Sequence, residues 1–116
     1  TPTIVFKDKK PVLVTGSPGG SRIITTVLQV VSNVIDHAMD IARATAAVRV
    51  HHQWRPDRLY LEPGIDGGTI AELKRKGFDV RESRKIGGTQ SIRRLPDGTL
   101  AGASDPRREG ALTLGH

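Results

Sequence analysis

The stretch Val12-Leu13-Val14-Thr15-Gly16-Ser17-Pro18-Gly19-Gly20-Ser21-Arg22 decides the local fold of this chain. An apolar, strand-like run stops at a Pro-Gly-Gly turn, and a long segment of helical periodicity starts directly after it. A strand–turn–helix junction leaves backbone N–H groups at the helix start without intrahelical partners, and they point into one region of space. Glycine lets another atom approach this backbone closely. The junction is therefore the best place in the sequence to hold negative charge.

A long amphipathic helix is predicted after the turn, from Arg22 to about Met39, with Ser21 as its N-cap. The apolar arc covers about 160° of the helix surface, which is wide for a surface helix. Many of its residues are β-branched and disfavour an isolated helix, so we expect packing against a sheet to hold it. The apolar arc consists of Ile23, Ile24, Val27, Leu28, Val30, Val31, Val34, Ile35 and Ala38; the polar side consists of Thr25, Thr26, Gln29, Ser32, Asn33, Asp36 and His37.

Strands and helices alternate irregularly along the rest of the chain, which predicts an α+β fold with antiparallel hairpins. Asp40 is expected to cap a short helix, and Gly77 to end another. The predicted strands are 3–6 and 11–15, forming a hairpin, then 48–52, 59–62 and 78–82, and finally a second hairpin of 91–95 with 99–103 across Pro96-Asp97-Gly98. The two shorter helices are predicted at 41–47 and 69–76.

Composition narrows the class of protein. The 116 residues make one domain or part of one, and the absence of cysteine excludes disulfides and thiolate chemistry. The net charge is +6, with basic residues concentrated between Lys74 and Arg94. Acidic residues interleave with them and no aromatic platform accompanies them, which favours a solvated face over a nucleic-acid site. No apolar stretch is long enough to span a bilayer, and the first residues do not form a signal peptide. The sequence lacks an initiator methionine and begins directly with a strand-like run, so a processed or cut chain is expected.

Several kinds of functional site can be excluded at the glycine turn. Neither a phosphate-binding Walker loop nor a Gly-x-Gly-x-x-Gly dinucleotide turn is present. A serine nucleophile elbow would need glycine where Thr15 stands, and Pro18 lacks the N–H that should follow the nucleophile. An oxyanion hole formed by the N–H groups of Gly19 and Gly20 fits better. The alternative is a turn with a purely structural role.

Other candidate groups favour structural roles. His51 and His52 are adjacent on a predicted strand and face opposite sides, so they do not form a metal site. Thr1 could act as an N-terminal nucleophile, although a chain simply cut at this point explains it better. Asp105, Arg107 and Arg108 are expected to form an ion pair that ties down the C-terminal loop, and 87–91 is expected to be a loop that feeds a strand.

Several motifs in the same order resemble the gamma-glutamyltranspeptidases, also called glutathione hydrolases. They span nearly the whole chain, which makes the resemblance much more specific than the glycine turn alone. The matching segments are Pro2-Thr3-Ile4-Val5, 13–24, 46–49, His51-His52-Gln53-Trp54, Pro56-Asp57, Gly88-Thr89-Gln90-Ser91 and Gly102-Ala103-Ser104-Asp105-Pro106-Arg107.

The resemblance implies an N-terminal nucleophile hydrolase with an αββα sandwich and no metal or organic cofactor. In that family a precursor cuts itself into a large and a small subunit. The threonine that opens the small subunit takes the γ-glutamyl group from glutathione or a similar amide and passes it to water, an amino acid or a dipeptide. The Ser-Pro-Gly-Gly turn supplies the oxyanion hole, which corresponds here to Gly19 and Gly20.

By the same resemblance, residues 1–116 are a single segment, the C-terminal portion of a small subunit. The nucleophilic threonine lies upstream and is absent, because Thr1 matches a later strand. We therefore expect the 116 residues alone to be inactive and to self-associate through faces that lack their partners, which are the large subunit and the remainder of the small subunit. Family members imply a periplasmic or extracellular location.

An alternative from a different class is a basic module that binds nucleic acid or another polyanion with strong salt dependence. Within the enzyme interpretation, the resemblance leaves open hydrolysis or transfer, the acceptor, and glutathione, poly-γ-glutamate or an acylated β-lactam as the substrate.

Overall fold

The computed structural model describes residues 2–115. Thr1, considered above as a nucleophile, lies outside the described residues. The elements follow in the order β1 (Pro2–Lys7), β2 (Lys10–Gly16), α1 (Arg22–Ile35), α2 (Ile41–Ala46), β3 (Val50–His51), β4 (Leu59–Leu61), α3 (Gly67–Arg75), β5 (Val80–Glu82), β6 (Gln90–Arg94) and β7 (Leu100–Ser104).

The larger sheet has four antiparallel strands in the order β1-β2-β6-β7. Its first hairpin turns at Asp8 and Lys9, whose φ angles are 51° and 60°. Two consecutive positive φ values match the twist of the flanking strands in a two-residue hairpin. The second hairpin joins β6 to β7, and Gly98 takes a φ of 91° in its turn. Both predicted hairpins are confirmed.

The smaller sheet has the order β3-β4-β5. β3 and β4 are antiparallel, whereas β4 and β5 are parallel, with Leu59 opposite Val80. Parallel neighbours need a crossover connection, which α3 supplies. The strands and the helix were predicted, but their parallel pairing was not.

The core lies between the larger sheet and the helices α1 and α2. Val27, Val30 and Val34 of α1 are buried, as predicted. Four members of the predicted apolar arc are instead exposed: Ile24 at 75%, Leu28 at 62%, Ile35 at 51%, and Ala38. The packed side of α1 is narrower than its apolar arc. The residues at the outer part of the arc therefore face solvent. The buried apolar cluster comprises Leu13, Val34, Ile41, Ala44 and Ala103.

The first helix ends earlier than predicted, at Ile35 rather than near Met39. Ala38 takes a φ of 52°, a left-handed conformation that a helix cannot continue. The N–H of His37 donates to the carbonyl of Ser32 at 3.1 Å, and the N–H of Met39 to that of Asn33 at 2.9 Å. These contacts close the helix end, although the apolar pattern continues beyond it.

Between residues 2 and 115, no helix has the length and apolar character needed to cross a bilayer.

Candidate functional site at the first helix

The turn between β2 and α1 presents two neighbouring backbone donors. Gly19 and Gly20 take φ angles of 135° and 57°, which favour glycine. Their carbonyls accept hydrogen bonds from the N–H groups of Arg22, at 3.1 Å, and Ile23, at 3.2 Å, and so begin the helix. Both glycines are exposed, and their own N–H groups have no acceptor among residues 2–115. Pro18 has no N–H, so the free donors start at Gly19.

A loop at 86–89 packs against the inner side of this turn. Ser17 is buried, and its Oγ donates to the Pro18 carbonyl at 2.7 Å and accepts from the Gly88 N–H at 3.0 Å. Gly87 has a φ of 69°, and a Cβ there would lie 2.6 Å from Thr26 and 2.8 Å from the Ser17 Oγ. The backbone of the loop at Gly87 therefore packs directly against the turn, with no room for a side chain between them. The prediction of a loop that leads into a strand at 87–91 is confirmed.

Ser21 stands at the N-cap position, but its side chain does not cap the helix. It takes helical angles, φ −61° and ψ −21°, whereas a capping residue is extended. Asp40 and Asp66 are extended and accept from backbone N–H groups at the starts of α2 and α3. The Ser21 hydroxyl instead donates to Oε1 of Gln53 at 2.6 Å. The predicted capping role of Ser21 was therefore wrong, and the role predicted for Asp40 is confirmed.

Arg22 and Thr25 attach the first turn of α1 to the smaller sheet. The Arg22 guanidinium lies over the Tyr60 ring at 5.2 Å and donates to the Ser83 hydroxyl at 3.1 Å. The Thr25 hydroxyl lies 2.7 Å from Nδ1 of His51. The helix start that carries the glycine donors is thus held by side chains on several sides.

The two adjacent histidines face different surroundings, as predicted, although only His51 lies on β3. His51 is 1% exposed and contacts α1. His52 is half-buried, and its Nε2 lies 2.9 Å from Oδ1 of Asp57. In the described part of the chain, no three His, Cys, Asp or Glu side chains gather where they could hold a metal ion.

A buried ion network lies on the far side of the 86–89 loop. Arg49 Nη2 contacts Asp105 Oδ2 at 2.7 Å, and Arg107 Nη1 contacts Asp105 Oδ1 at 3.1 Å. Arg107 also pairs with Glu62 through Nε at 2.7 Å. The predicted ion pair forms between Asp105 and Arg107, whereas Arg108, also predicted to take part, contacts Asp105 only through its backbone N–H. Arg49 and Glu62 were missed, although a charged residue inside the apolar segment Ala46-Ala47-Val48-Arg49-Val50 was a signal.

The same carboxylates hold the backbone of the loop. The Thr89 N–H donates to Asp105 at 2.8 Å, and the Ile86 N–H donates to Glu62 at 2.5 Å. Nη1 of Arg49 donates to the Ile86 carbonyl at 2.9 Å. The ion network therefore fixes the loop on which the glycine turn rests.

The electrostatics of the network follow from burial and pairing. Burial lowers the pKa of Arg49, and its hydrogen bond with Asp105 opposes that shift. Burial alone would raise the pKa of Asp105, but the N–H groups of Arg107 and Thr89 and the Arg49 guanidinium hold that pKa below its usual value. Burial alone would lower the pKa of Arg107, but its contacts with Glu62 and Asp105 outweigh burial, so that pKa is raised.

Arg107 also closes the C-terminal end of α2. Its guanidinium donates to the carbonyls of Thr45 at 3.2 Å, Ala46 at 3.5 Å and Ala47 at 2.8 Å. The last carbonyls of a helix have no intrahelical partner, so this side chain satisfies groups that water or a cap would otherwise bind.

Several of the basic residues between 74 and 94 already have partners within the chain. Arg75 pairs with Glu72 at 2.6 Å, Arg81 pairs with Asp79 at 2.9 Å, and Arg93 is half-buried and donates to a backbone carbonyl. The alternative of a polyanion-binding module gains no support from this arrangement.

Comparison with known proteins identifies the family. The gamma-glutamyltranspeptidase family model matches residues 1–114. The glutathione hydrolase proenzyme of Escherichia coli is 56% identical over 116 residues, which is all of this chain and 20% of the relative. The glutathione hydrolase proenzyme of Pseudomonas aeruginosa is 42% identical over 114 residues, which is 95% of this chain and 20% of the relative.

A solved structure of an acivicin-inhibited gamma-glutamyltranspeptidase superposes with a TM-score of 0.90 and 47% identity, over 94% of this chain and 60% of that one. The expected fold class, an α+β part of an N-terminal nucleophile hydrolase with antiparallel hairpins, is confirmed. The chain spans about a fifth of the length of the curated relatives that it matches. It belongs to the gamma-glutamyltranspeptidase family.

Proposed function

We propose that this chain is part of an enzyme that transfers γ-glutamyl groups to water or to amines, and that the N–H groups of Gly19 and Gly20 form its oxyanion hole. One observation carries the assignment of the site: two consecutive, exposed backbone donors at the start of α1 have no acceptor among residues 2–115. The relatives named glutathione hydrolase proenzymes support the reaction class.

The reaction needs negative charge to be stabilised twice. A threonine hydroxyl attacks the γ-carbonyl of the donor, and the carbonyl oxygen becomes an oxyanion as the C–O bond forms. Collapse breaks the C–N bond, the leaving amine takes a proton, and a γ-glutamyl ester remains. Water or an amine then attacks that ester through a second oxyanion and releases the threonine. One preorganised N–H donor contributes about 2.7–4 kcal/mol to each transition state.

The other parts of the catalytic apparatus lie outside this chain in our proposal. The nucleophilic threonine and the groups that bind the substrate come from the upstream part of the small subunit and from the large subunit. In the acivicin-inhibited gamma-glutamyltranspeptidase, the C-terminus has critical roles in autoprocessing and catalysis, which supports a catalytic role for a C-terminal segment in this family. Residues 1–116 are then the C-terminal portion of the small subunit, and the substrate is glutathione or a similar γ-glutamyl amide.

The test removes one donor without adding a side chain. In the full-length enzyme that contains this chain, Gly20 is replaced by glycolic acid, which turns the Gly19–Gly20 peptide bond into an ester. This change deletes the Gly20 N–H and also weakens the Gly19 carbonyl as the acceptor of the Arg22 N–H. Hydrolysis of a γ-glutamyl anilide should slow by about 10²–10³ in kcat. KM should hold, because acylation and deacylation both pass through an oxyanion and slow together.

Two controls separate the missing donor from other effects. The same ester placed at the exposed Gly110 (φ 71°) should leave kcat unchanged. Gly20→Ala keeps the N–H, and its Cβ would have no atom within 4 Å. Alanine is strained at a φ of 57°, so this variant measures strain in the turn without loss of the donor, and its kcat should fall less than that of the ester. An enzyme with the Gly20 ester and the parent kcat would refute the oxyanion assignment.

A further inference from the structure

The geometry points to Gln53 as a positioning residue for the oxyanion hole: it fixes the turn that carries Gly19 and Gly20 through hydrogen bonds to Ser21 and His51. This inference rests on the proposed function and deepens it. We call the side chains of His51 and Gln53 together the His51–Gln53 bracket.

The amide of Gln53 has one orientation that suits all its neighbours. Its Nε2 donates to the Arg55 carbonyl at 2.9 Å, which accepts only. Its Oε1 therefore faces the other way, where it accepts from the Ser21 hydroxyl at 2.6 Å and lies 2.9 Å from Nε2 of His51. Both polar atoms of this side chain are thus engaged.

This orientation sets the proton on His51. Because Oε1 of Gln53 can only accept, Nε2 of His51 carries the hydrogen in that contact. In the neutral ring, Nδ1 is then the acceptor for the Thr25 hydroxyl, 2.7 Å away. This contact takes the single hydroxyl proton in place of the longer one to the Arg22 carbonyl, at 3.2 Å. A continuous hydrogen-bond chain thus runs from Ser21 through Gln53 and His51 to Thr25, and both of its ends lie at the start of α1.

The His51 side of the bracket is buried in the smaller sheet, whereas Gln53 is exposed. His51 is 1% exposed and belongs to β3, where it pairs with Tyr60 of β4. The rings of His51 and Tyr60 are stacked with centroids 6.2 Å apart. The smaller sheet therefore sets the position of the first turn of α1, which does not depend on the glycine turn alone.

The turn needs such support. Ser21 directly follows Gly20, and its hydroxyl is committed to Gln53 rather than to a cap. The two glycines are exposed and conformationally permissive, so little in the turn itself fixes the direction of their N–H groups. A displacement of about 1 Å in a reacting group costs as much as 10²-fold in rate. Holding Ser21 holds the peptide that carries the donors.

The test uses the full-length enzyme with Gln53→Leu and with Ser21→Ala, each of which breaks the Ser21–Gln53 contact from one side. Each should lower kcat for a γ-glutamyl anilide about tenfold, with KM within about twofold, because only the transition state uses the donors. The double variant should be no slower than either single one, as expected for residues that act through their mutual contact. Ser21→Thr keeps the hydroxyl and should restore kcat.

Ser32→Ala is the matched control. It also removes a hydroxyl from α1, one that bonds to Asp36 at the opposite end of the helix, and kcat should not change. A role limited to loop stability would lower the melting temperature and leave kcat per folded enzyme unchanged, and that result would overturn the proposal. Parent kcat in Gln53→Leu with a slow Gly20 ester would refute the bracket alone, whereas a fast Gly20 ester would refute the oxyanion hole as well.

Discussion

Arg49 and Asp105 form an ion pair in which Nη2 and Oδ2 are 2.7 Å apart, and both side chains are no more than 1% exposed. Taking two charges out of water is costly, and only further hydrogen bonds offset the cost. Asp105 receives them from the Thr89 N–H at 2.8 Å and the Arg107 N–H at 3.0 Å. The Asp105 carboxylate thus bonds to Arg49 and to two backbone N–H groups. Its loss would leave the buried Arg49 cation without its ion-pair partner.

Asp105→Asn should destabilise the fold by about 3–5 kcal/mol, because the Arg49 charge would stay buried and unpaired. Urea unfolding followed by circular dichroism measures the change. The control is Asp79→Asn, which removes an exposed partner of Arg81 and should cost no more than about 1 kcal/mol. Equal losses for the two variants would contradict a special contribution from the buried network.

Stability should fall in acid through Asp105. Its pKa lies below the usual value in the folded protein, despite the opposing effect of burial. The folded state therefore binds this proton less readily than the unfolded state, and the stabilisation is complete above about pH 4, the unfolded value. It is lost as the pH falls through the folded pKa. Urea unfolding from pH 7 to pH 2 should show the parent and Asp105→Asn converging; a constant difference would argue against this linkage.

Gly87→Ala should disturb both stability and the glycine turn. The new Cβ would lie 2.6 Å from Thr26 and 2.8 Å from Ser17, at a φ of 69°. The matched variant is Gly77→Ala, with a φ of 93° and open space around the Cβ. Both variants force alanine into a left-handed conformation, but only Gly87→Ala adds overpacking of about 1–3 kcal/mol. Thermal unfolding should show this excess, and equal melting temperatures would exclude close packing beneath the turn.

The isolated chain should self-associate through the outer side of α1. Ile24 is 75% exposed and Leu28 is 62% exposed on that side, and contiguous apolar surface favours association. Light scattering should show a mass that rises with concentration and that falls in Leu28→Glu. Ala42→Glu places the same charge on an exposed position of α2 and should not prevent association. A compact monomer at all concentrations would count against the prediction.

The 116 residues alone should release no product from a γ-glutamyl anilide. In our proposal they supply only the oxyanion donors, at Gly19 and Gly20, and the nucleophile belongs to the upstream segment. Addition of that segment and the large subunit, as in the full-length enzyme, should restore turnover. Clear turnover by the purified chain would show that a nucleophile is present within it.

Local patterns predicted local structure well. The hairpins, the cap formed by Asp40 and the glycine turn each depend on residues close in sequence, and each was found. The first helix was predicted too long because the apolar pattern continues past Ile35, whereas the end depends on the left-handed conformation of Ala38. Apolar periodicity shows which residues share a helix face, but it does not show where the backbone leaves the helical conformation.

Contacts between distant residues could not be predicted in this way. Thr26 was assigned to the polar side of α1, yet it is fully buried because the loop at Gly87 packs on it. Ser21 was assigned as a cap, yet its hydroxyl bonds to Gln53, 32 residues away. The partner in each case comes from another part of the chain, and no spacing within α1 reveals it.

The end of α2 depends on a side chain that the ribosome adds much later. Arg107 satisfies the Ala47 carbonyl across 60 residues of sequence. During synthesis, the carbonyls of Ala46 and Ala47 must therefore stay hydrated until the segment with Arg107 has emerged and docked, whereas the Thr45 carbonyl has a nearby partner in Arg49. Nascent chains that stall before this point should keep the helix end frayed and open to proteases.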